Sequence, residues 1–237
     1  MSSQPPAAPD DLTVAVLSTM APEERGGHAV VLLHGWGAPG DDMVPLGRAL
    51  IRPGTRMFVP AGPLPEFGGG RAWWRLGPEE RPAWAWDDHA PADHRPNDLV
   101  TAAREAVLAL LATVRDRYAP DTVALVGFSQ GAMLAHDVGL RAEAGVDRVA
   151  ALSGVVLADS LAALHSPGPR RPAFLVAHGR DDEQVPFVGG EQARSLLDRH
   201  GYDVTWLPFD GGHDIPGEVI GALDGFLFEE REPAARD

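Results

Sequence analysis

The sequence predicts an α/β fold with a mostly parallel central sheet and helices on both faces. Three observations carry that prediction. Apolar runs of strand length recur at Ala29-Val30-Val31-Leu32-Leu33, Val123-Ala124-Leu125-Val126, Val149-Ala150-Ala151-Leu152 and Ala173-Phe174-Leu175-Val176-Ala177. Runs that are apolar throughout, without alternation, suit strands buried on both faces, as parallel strands are. Segments of helical period separate several of these runs. Each run ends in a short loop rich in Gly, Asp or His, so the unit of the chain is strand, loop, helix.

The elements follow in order. Residues 1–11 form a Pro-rich N-terminal tail, expected to be disordered. Leu12 to Ser18 reads as a strand at the sheet edge, and Ala29 to Leu33 as a central one. Asp41 or Asp42 is expected to cap a helix from about Met43 to Ile51, and Met57 to Val59 is the next strand. Residues 61–96 then break the rhythm with six prolines, a Gly68-Gly69-Gly70 run and Trp73, Trp74, Trp84 and Trp86. A segment this long with little regular structure is uncommon inside a compact domain and is often functional. Asn97 or Asp98 caps a helix to about Tyr118, with apolar positions at helical spacing. After the strand at 123–126, Ala132 to Ala144 reads as a helix. Val149 to Ser153 is a strand, 159–171 a loop with a short helical piece, and Ala173 to Ala177 a strand. Phe187 to His200 reads as a helix closed by Gly201. Val204 to Phe209 is the last strand and Glu218 to Phe228 the last helix. Residues 12–230 read as one domain, with 61–96 as a loop insertion and 231–237 as a C-terminal tail.

Composition narrows the chemistry. The chain has 237 residues, 44% of them hydrophobic, enough for a large core in one domain. The net charge of −14 argues against nucleic acid and anionic membrane surfaces as partners. There is no Cys, which excludes disulfides and thiolate catalysis. All 20 cationic residues are Arg, so Schiff-base chemistry and a Walker A loop are excluded as well. The first residues carry neither a basic region nor a long apolar run, and no stretch approaches a membrane span. The expectation is a cytoplasmic protein without membrane insertion.

The chemistry collects where strands end, as it does in open α/β sheets. Gly127-Phe128-Ser129-Gln130-Gly131, held between a strand and a helix, is a nucleophile elbow: a tight turn that lifts the Ser129 hydroxyl above the sheet. A serine hydroxyl needs a base at neutral pH, and an imidazole, ordinarily titrating near 6.5, can take the proton and return it. His213 follows the last strand and supplies it. A carboxylate on the far ring nitrogen fixes the tautomer and steadies the imidazolium. Asp181 and Asp182 both follow an intermediate strand, and spacing alone does not choose between them. The order Ser, Asp, His is the one this arrangement uses. Backbone N–H donors for a tetrahedral oxyanion are expected at Gln130, directly after the nucleophile, and at Trp36 in the His34-Gly35-Trp36-Gly37 loop. His34 itself reads as structural, since the triad already has its histidine.

These strings together resemble the α/β-hydrolase superfamily and, within it, the phospholipase/carboxylesterase family that includes acyl-protein thioesterases. The resemblance rests on Leu33-His34-Gly35-Trp36-Gly37, Gly127-Phe128-Ser129-Gln130-Gly131, His178-Gly179-x-x-Asp182-x-x-Val185-Pro186 and Gly212-His213, and runs from about residue 28 to 228. It implies an α/β-hydrolase fold without a large cap domain and an acid at Asp182. It also implies hydrolysis of carboxylic esters or thioesters with no cofactor. The expected substrate is a small-molecule ester, and the expected assembly a monomer or homodimer. A carboxylesterase is the leading reading. An acyl-protein thioesterase or lysophospholipase is the near alternative, and a non-catalytic binding protein on a hydrolase scaffold is the distant one. Gly69-Gly70-Arg71-Ala72-Trp73-Trp74 resembles a loop of that family, while the rest of 61–96 does not. Trp73 and Trp74 either line the substrate pocket or anchor the loop to the core; buried aromatics do both. Asp87, Asp88, His89, Asp93 and His94 match no metal-ligand spacing and read as solvated, so no metal is expected.

Overall fold

The structure is a computed structural model, and it describes residues 12–77, 80–169 and 171–229. The expected tails at 1–11 and 231–237 lie outside the described residues. Nine strands and six α-helices are described: β1 (Val14–Ser18), β2 (His28–Leu33), α1 (Val44–Leu50), β3 (Thr55–Pro60), β4 (Leu64–Pro65), β5 (Arg71–Ala72), α2 (Asp98–Tyr118), β6 (Thr122–Phe128), α3 (Gln130–Gly139), β7 (Arg148–Leu152), α4 (Leu161–His165), β8 (Ala173–Gly179), α5 (Phe187–Arg199), β9 (Val204–Phe209) and α6 (Gly217–Phe228). Seven strands form one sheet in the order β1-β3-β2-β6-β7-β8-β9, and β4 and β5 form a separate two-stranded hairpin. Within the large sheet only β1 runs antiparallel, paired with β3 at the edge; the other strands are parallel.

The uninterrupted apolar runs have the physical consequence expected of them. Along β2, Ala29, Val31 and Leu33 pack on one face with Val107 and Leu111 of α2, Leu134 of α3 and Leu196 of α5. Val30 and Leu32 pack on the other with Leu46 and Leu50 of α1 and Leu223 and Leu227 of α6. A strand with a core on each side has no polar face. Among the described residues, no helix is long and apolar enough to cross a membrane.

Helix boundaries show where local signals succeed and fail. Asn97 caps α2, its side-chain oxygen accepting from the N–H groups of Leu99 (3.0 Å) and Val100 (3.2 Å). The expected cap of α1 does not form. Met43 occupies the N-cap position without a side-chain hydrogen bond. Pro45 stands in the first turn and removes one of the N–H groups a cap would satisfy. Asp42 instead lines a cavity. Helix α3 ends at Gly139, short of Ala144, with a separate turn of 3₁₀ helix over Ala142–Ala144. Among the described residues between β3 and α2, regular structure is limited to the β4–β5 hairpin and a 3₁₀ turn over Phe67–Gly69.

Candidate active site

Ser129 sits in the turn between β6 and α3 with φ 55° and ψ −116°, a conformation non-glycine residues rarely adopt. Close packing around the turn explains its glycines. A Cβ on Gly127 would lie 2.1 Å from the Gly131 carbonyl oxygen, and one on Gly131 would lie 2.3 Å from that of Leu33. Neither position can carry a side chain without moving backbone. The Ser129 N–H donates to the Leu152 carbonyl at 2.9 Å, which ties the elbow to β7. Ser153, one residue past β7, is also held at positive φ (53°), so strain recurs on the neighbouring strand end.

The structure brings Asp182 and His213 together and leaves Asp181 at the surface. His213 Nδ1 donates to Asp182 Oδ2 at 2.7 Å. The other carboxylate oxygen accepts from the N–H groups of Gln184 (2.9 Å) and Val185 (2.8 Å). Asp182 is therefore a buried carboxylate with both oxygens engaged, which fixes its aim. His178, also buried, stands behind it. Its Nε2 donates to the Val185 carbonyl at 2.8 Å and lies 3.4 Å from Asp182 Oδ2. Burial holds the His178 imidazole below the usual histidine range despite that carboxylate, so it braces the loop as a neutral ring. The His213 ring also leans on Phe128, 4.7 Å between ring centroids.

Ser129, Gln130, His213 and Trp36 line one cavity of about 340 Å³. A Cβ on Gly35 would come within 3.3 Å of the Ser129 Cβ, which measures how closely the 34–37 loop approaches the elbow. Strand β5 pins that loop: Gly37 N–H donates to Arg71 O, and Arg71 N–H donates to Ala38 O, both at 2.9 Å. His34 is held at both ring nitrogens. Nδ1 donates to the Gly35 carbonyl (2.7 Å) and Nε2 accepts from Gly62 N–H (2.8 Å). Burial lowers its pKa, which keeps Nε2 unprotonated as the acceptor for Gly62.

The two tryptophans part company. Trp74 lines the cavity, whereas Trp73 does not. The Trp73 indole N–H donates to the His34 carbonyl at 3.0 Å, and its ring packs 5.3 Å from that of His34. Trp73 is thus a core anchor. The Gln130 side chain grips this strip from the elbow side. Its Oε1 accepts from Trp73 N–H (2.9 Å) and its Nε2 donates to the Trp74 carbonyl (2.7 Å). Sequence reasoning assigned Gln130 a role only through its backbone; partners 56 and 57 residues away leave no local signal. It also missed Leu76, Arg81, Pro82, Gln184 and Met133, all of which line the cavity. Trp84 lines it too, and its place in a Trp-rich loop was the signal that could have found it.

The insertion is anchored to the body of the fold. Ala85 N–H donates to Val156 O and Ala158 N–H to Ala83 O, making a short antiparallel bridge around Trp84 and Leu157. Two residues read as solvated are paired instead. His94 Nε2 lies 2.8 Å from the buried Asp159 carboxylate, and Asp88 accepts from His200 Nε2 at 2.8 Å.

This arrangement, a buried carboxylate on an imidazole that shares a cavity with a serine in a positive-φ elbow on a mostly parallel sheet, is that of an α/β hydrolase. The phospholipase/carboxylesterase family model matches residues 15–229, and the chain belongs to that family. A 118-residue stretch is 30% identical to acyl-protein thioesterase 1 of Gibberella zeae, covering 48% of this chain and 50% of that protein. The chain thus matches about half the length of that curated relative. Among solved structures, esterase PE8 superposes with a TM-score of 0.73 at 29% identity, over 91% of this chain and 97% of that one. Acyl-protein thioesterase 2 of Zea mays superposes with a TM-score of 0.67 at 19% identity, over 91% and 97%, a likeness of fold alone.

Proposed function

We propose that the protein is a serine carboxylesterase that hydrolyses short- to medium-chain carboxylic esters through an acyl-enzyme intermediate. The observation that carries this reading is the Asp182–His213 pair at 2.7 Å, opening onto the same cavity as Ser129. With Nδ1 committed as a donor to Asp182, neutral His213 keeps Nε2 free to accept the Ser129 hydroxyl proton. Ser129 Oγ then bonds to the acyl carbon, and the carbonyl oxygen becomes an oxyanion. The backbone N–H groups of Trp36 and Gln130 receive it, Gln130 being the first residue of α3, where helix N–H groups have no partner within the helix. His213 passes its proton to the leaving alcohol. Water, deprotonated by the same imidazole, releases the acid and restores Ser129.

Cavity size bears on acyl length. A volume of about 340 Å³ sits at the lower end of the range for small-molecule pockets, roughly 300–1,000 Å³. That favours short and medium acyl groups over the long chains of an acyl-protein thioesterase or lysophospholipase. Trp74, Leu76, Pro82 and Trp84 give the cavity apolar walls.

Ser129→Ala is expected to lower kcat on a short-chain aryl ester by roughly 10⁴-fold or more while leaving the circular dichroism spectrum unchanged. A fluorophosphonate should label the wild type at Ser129 alone. Full activity in the variant would sink the nucleophile assignment. Failure of the wild type to react would favour a binding protein on this scaffold. A chain-length series in which kcat/KM rises steadily to long acyl groups would replace the carboxylesterase reading with the lysophospholipase one.

A further inference from the structure

Asp88, His165 and His200 come from three distant parts of the chain: the Trp-rich insertion, the last residue of α4, and the residue that ends α5. Their ligand-capable atoms all lie within 4.8 Å of one another. His200 Nε2 and Asp88 Oδ1 are 2.8 Å apart, and the two imidazole rings lie 5.2 Å apart between centroids, tilted by 40°. Arg199 Nη2 lies 3.3 Å from the second carboxylate oxygen, Oδ2, so Oδ1, the oxygen already turned to His200, is the one that would ligate an ion.

We propose that these three residues form a binding site for a borderline divalent cation of the Zn²⁺ class, which clips the insertion to the ends of α4 and α5. Two imidazoles and one monodentate carboxylate are a donor set such ions prefer, with water completing four-coordination. At bond lengths of about 2.1 Å, tetrahedral ligand atoms stand about 3.4 Å apart. The ion would replace the proton shared by His200 and Asp88 and, by the same bond lengths, spread that pair by about half an ångström. His165 must close the remaining gap, and as an exposed side chain it is free to rotate inward. None of the three residues lines the cavity of Ser129 and His213, so the ion would take no direct part in the proposed reaction. Its effect would be to fix the insertion that supplies Leu76, Arg81 and Trp84 to that cavity. No local spacing reveals it, because only Asp88 belongs to the acidic, His-containing stretch that stands out in the sequence.

Co²⁺ titration of the untagged protein tests the proposal. One equivalent should bind with the visible d–d absorption of a four-coordinate ion, and Zn²⁺ should displace it. His165→Gln and His200→Gln should each abolish that absorption, and His89→Gln, which alters an exposed imidazole next to Asp88, should keep it. Zn²⁺ should raise the Tm of the wild type and of His89→Gln, and leave the other two variants unchanged. Since His165 is exposed, its variant should fold, and its circular dichroism verifies that. Absence of the absorption in the wild type at submillimolar Co²⁺ overturns the site. So does its survival in either His165→Gln or His200→Gln, or its loss in His89→Gln.

Discussion

At Ser129 a backbone conformation that costs stability is held at the atom proposed to do the chemistry. Its φ of 55° places a side-chain-bearing residue in a sparsely populated region, at a cost of about 1–3 kcal/mol. Glycine tolerates that region but gives the unfolded chain more freedom, worth about 0.5–1 kcal/mol. Relief of the strain outweighs that freedom, so Ser129→Gly should raise Tm by roughly 2–4 °C. Ser129→Ala keeps the Cβ and should not. Differential scanning calorimetry of both variants reads this directly, and equal Tm values would show that the elbow is unstrained. The elbow at Ser129 and the strand-end place of His213 were legible in the sequence because a glycine-flanked turn and a strand-end histidine are local patterns. The choice of Asp182 over Asp181 was not legible from spacing. Two adjacent carboxylates differ only in the direction the backbone turn gives them, and here the N–H groups of Gln184 and Val185 set it.

At the scale of elements, the β6–α3 unit and the Trp73–Trp74 strip are joined by one side chain. Gln130→Ala keeps the backbone N–H proposed for the oxyanion but orphans two buried groups, the Trp73 N–H and the Trp74 carbonyl. Leaving each unsatisfied costs about 1–3 kcal/mol, so the variant should lose about 3 kcal/mol in urea unfolding. As the cavity wall at Trp74 loosens, kcat/KM should fall as well. A variant as stable as the wild type would show that water or a neighbour replaces the amide. The strand positions and the mostly parallel sheet followed from the strand–loop–helix repeat, since buried parallel strands announce themselves as apolar runs; the strand order did not. The insertion at 61–96 stood out by composition, but the way it docks followed from no pattern. It has almost no regular period, and its partners at Val156, Ala158, Asp159 and His200 are distant in sequence. The expected α1 cap does not form because a nearby carboxylate is not sufficient where Pro45 removes a donor from the first turn.

Across the whole molecule, three histidines among the described residues are buried neutral, and one of them has nothing to hold its ring nitrogens. His136 lies in α3, every residue of which is buried, and stacks on Phe174 at 5.8 Å. Neither of its ring nitrogens has a hydrogen-bond partner among the described residues. Burial lowers its pKa to about 4. An unfolded histidine titrates near 6.5, so between those values the unfolded chain binds a proton the fold refuses. Stability must therefore decline as pH falls from about 6.5 and level off below about 4. The full contribution is about 3 kcal/mol, from a gap of roughly 2.5 between the two pKa values. Burial lowers His34 and His178 as well, which adds slope of the same sign. His136→Leu removes one of the three titrations and keeps an apolar group against Phe174. Urea unfolding at intervals from pH 7 to pH 4 should show a shallower loss for this variant, with the gap from wild type widening toward the acid end to about 3 kcal/mol. Parallel stability profiles would mean that the His136 imidazole takes up its proton inside the fold as easily as outside it.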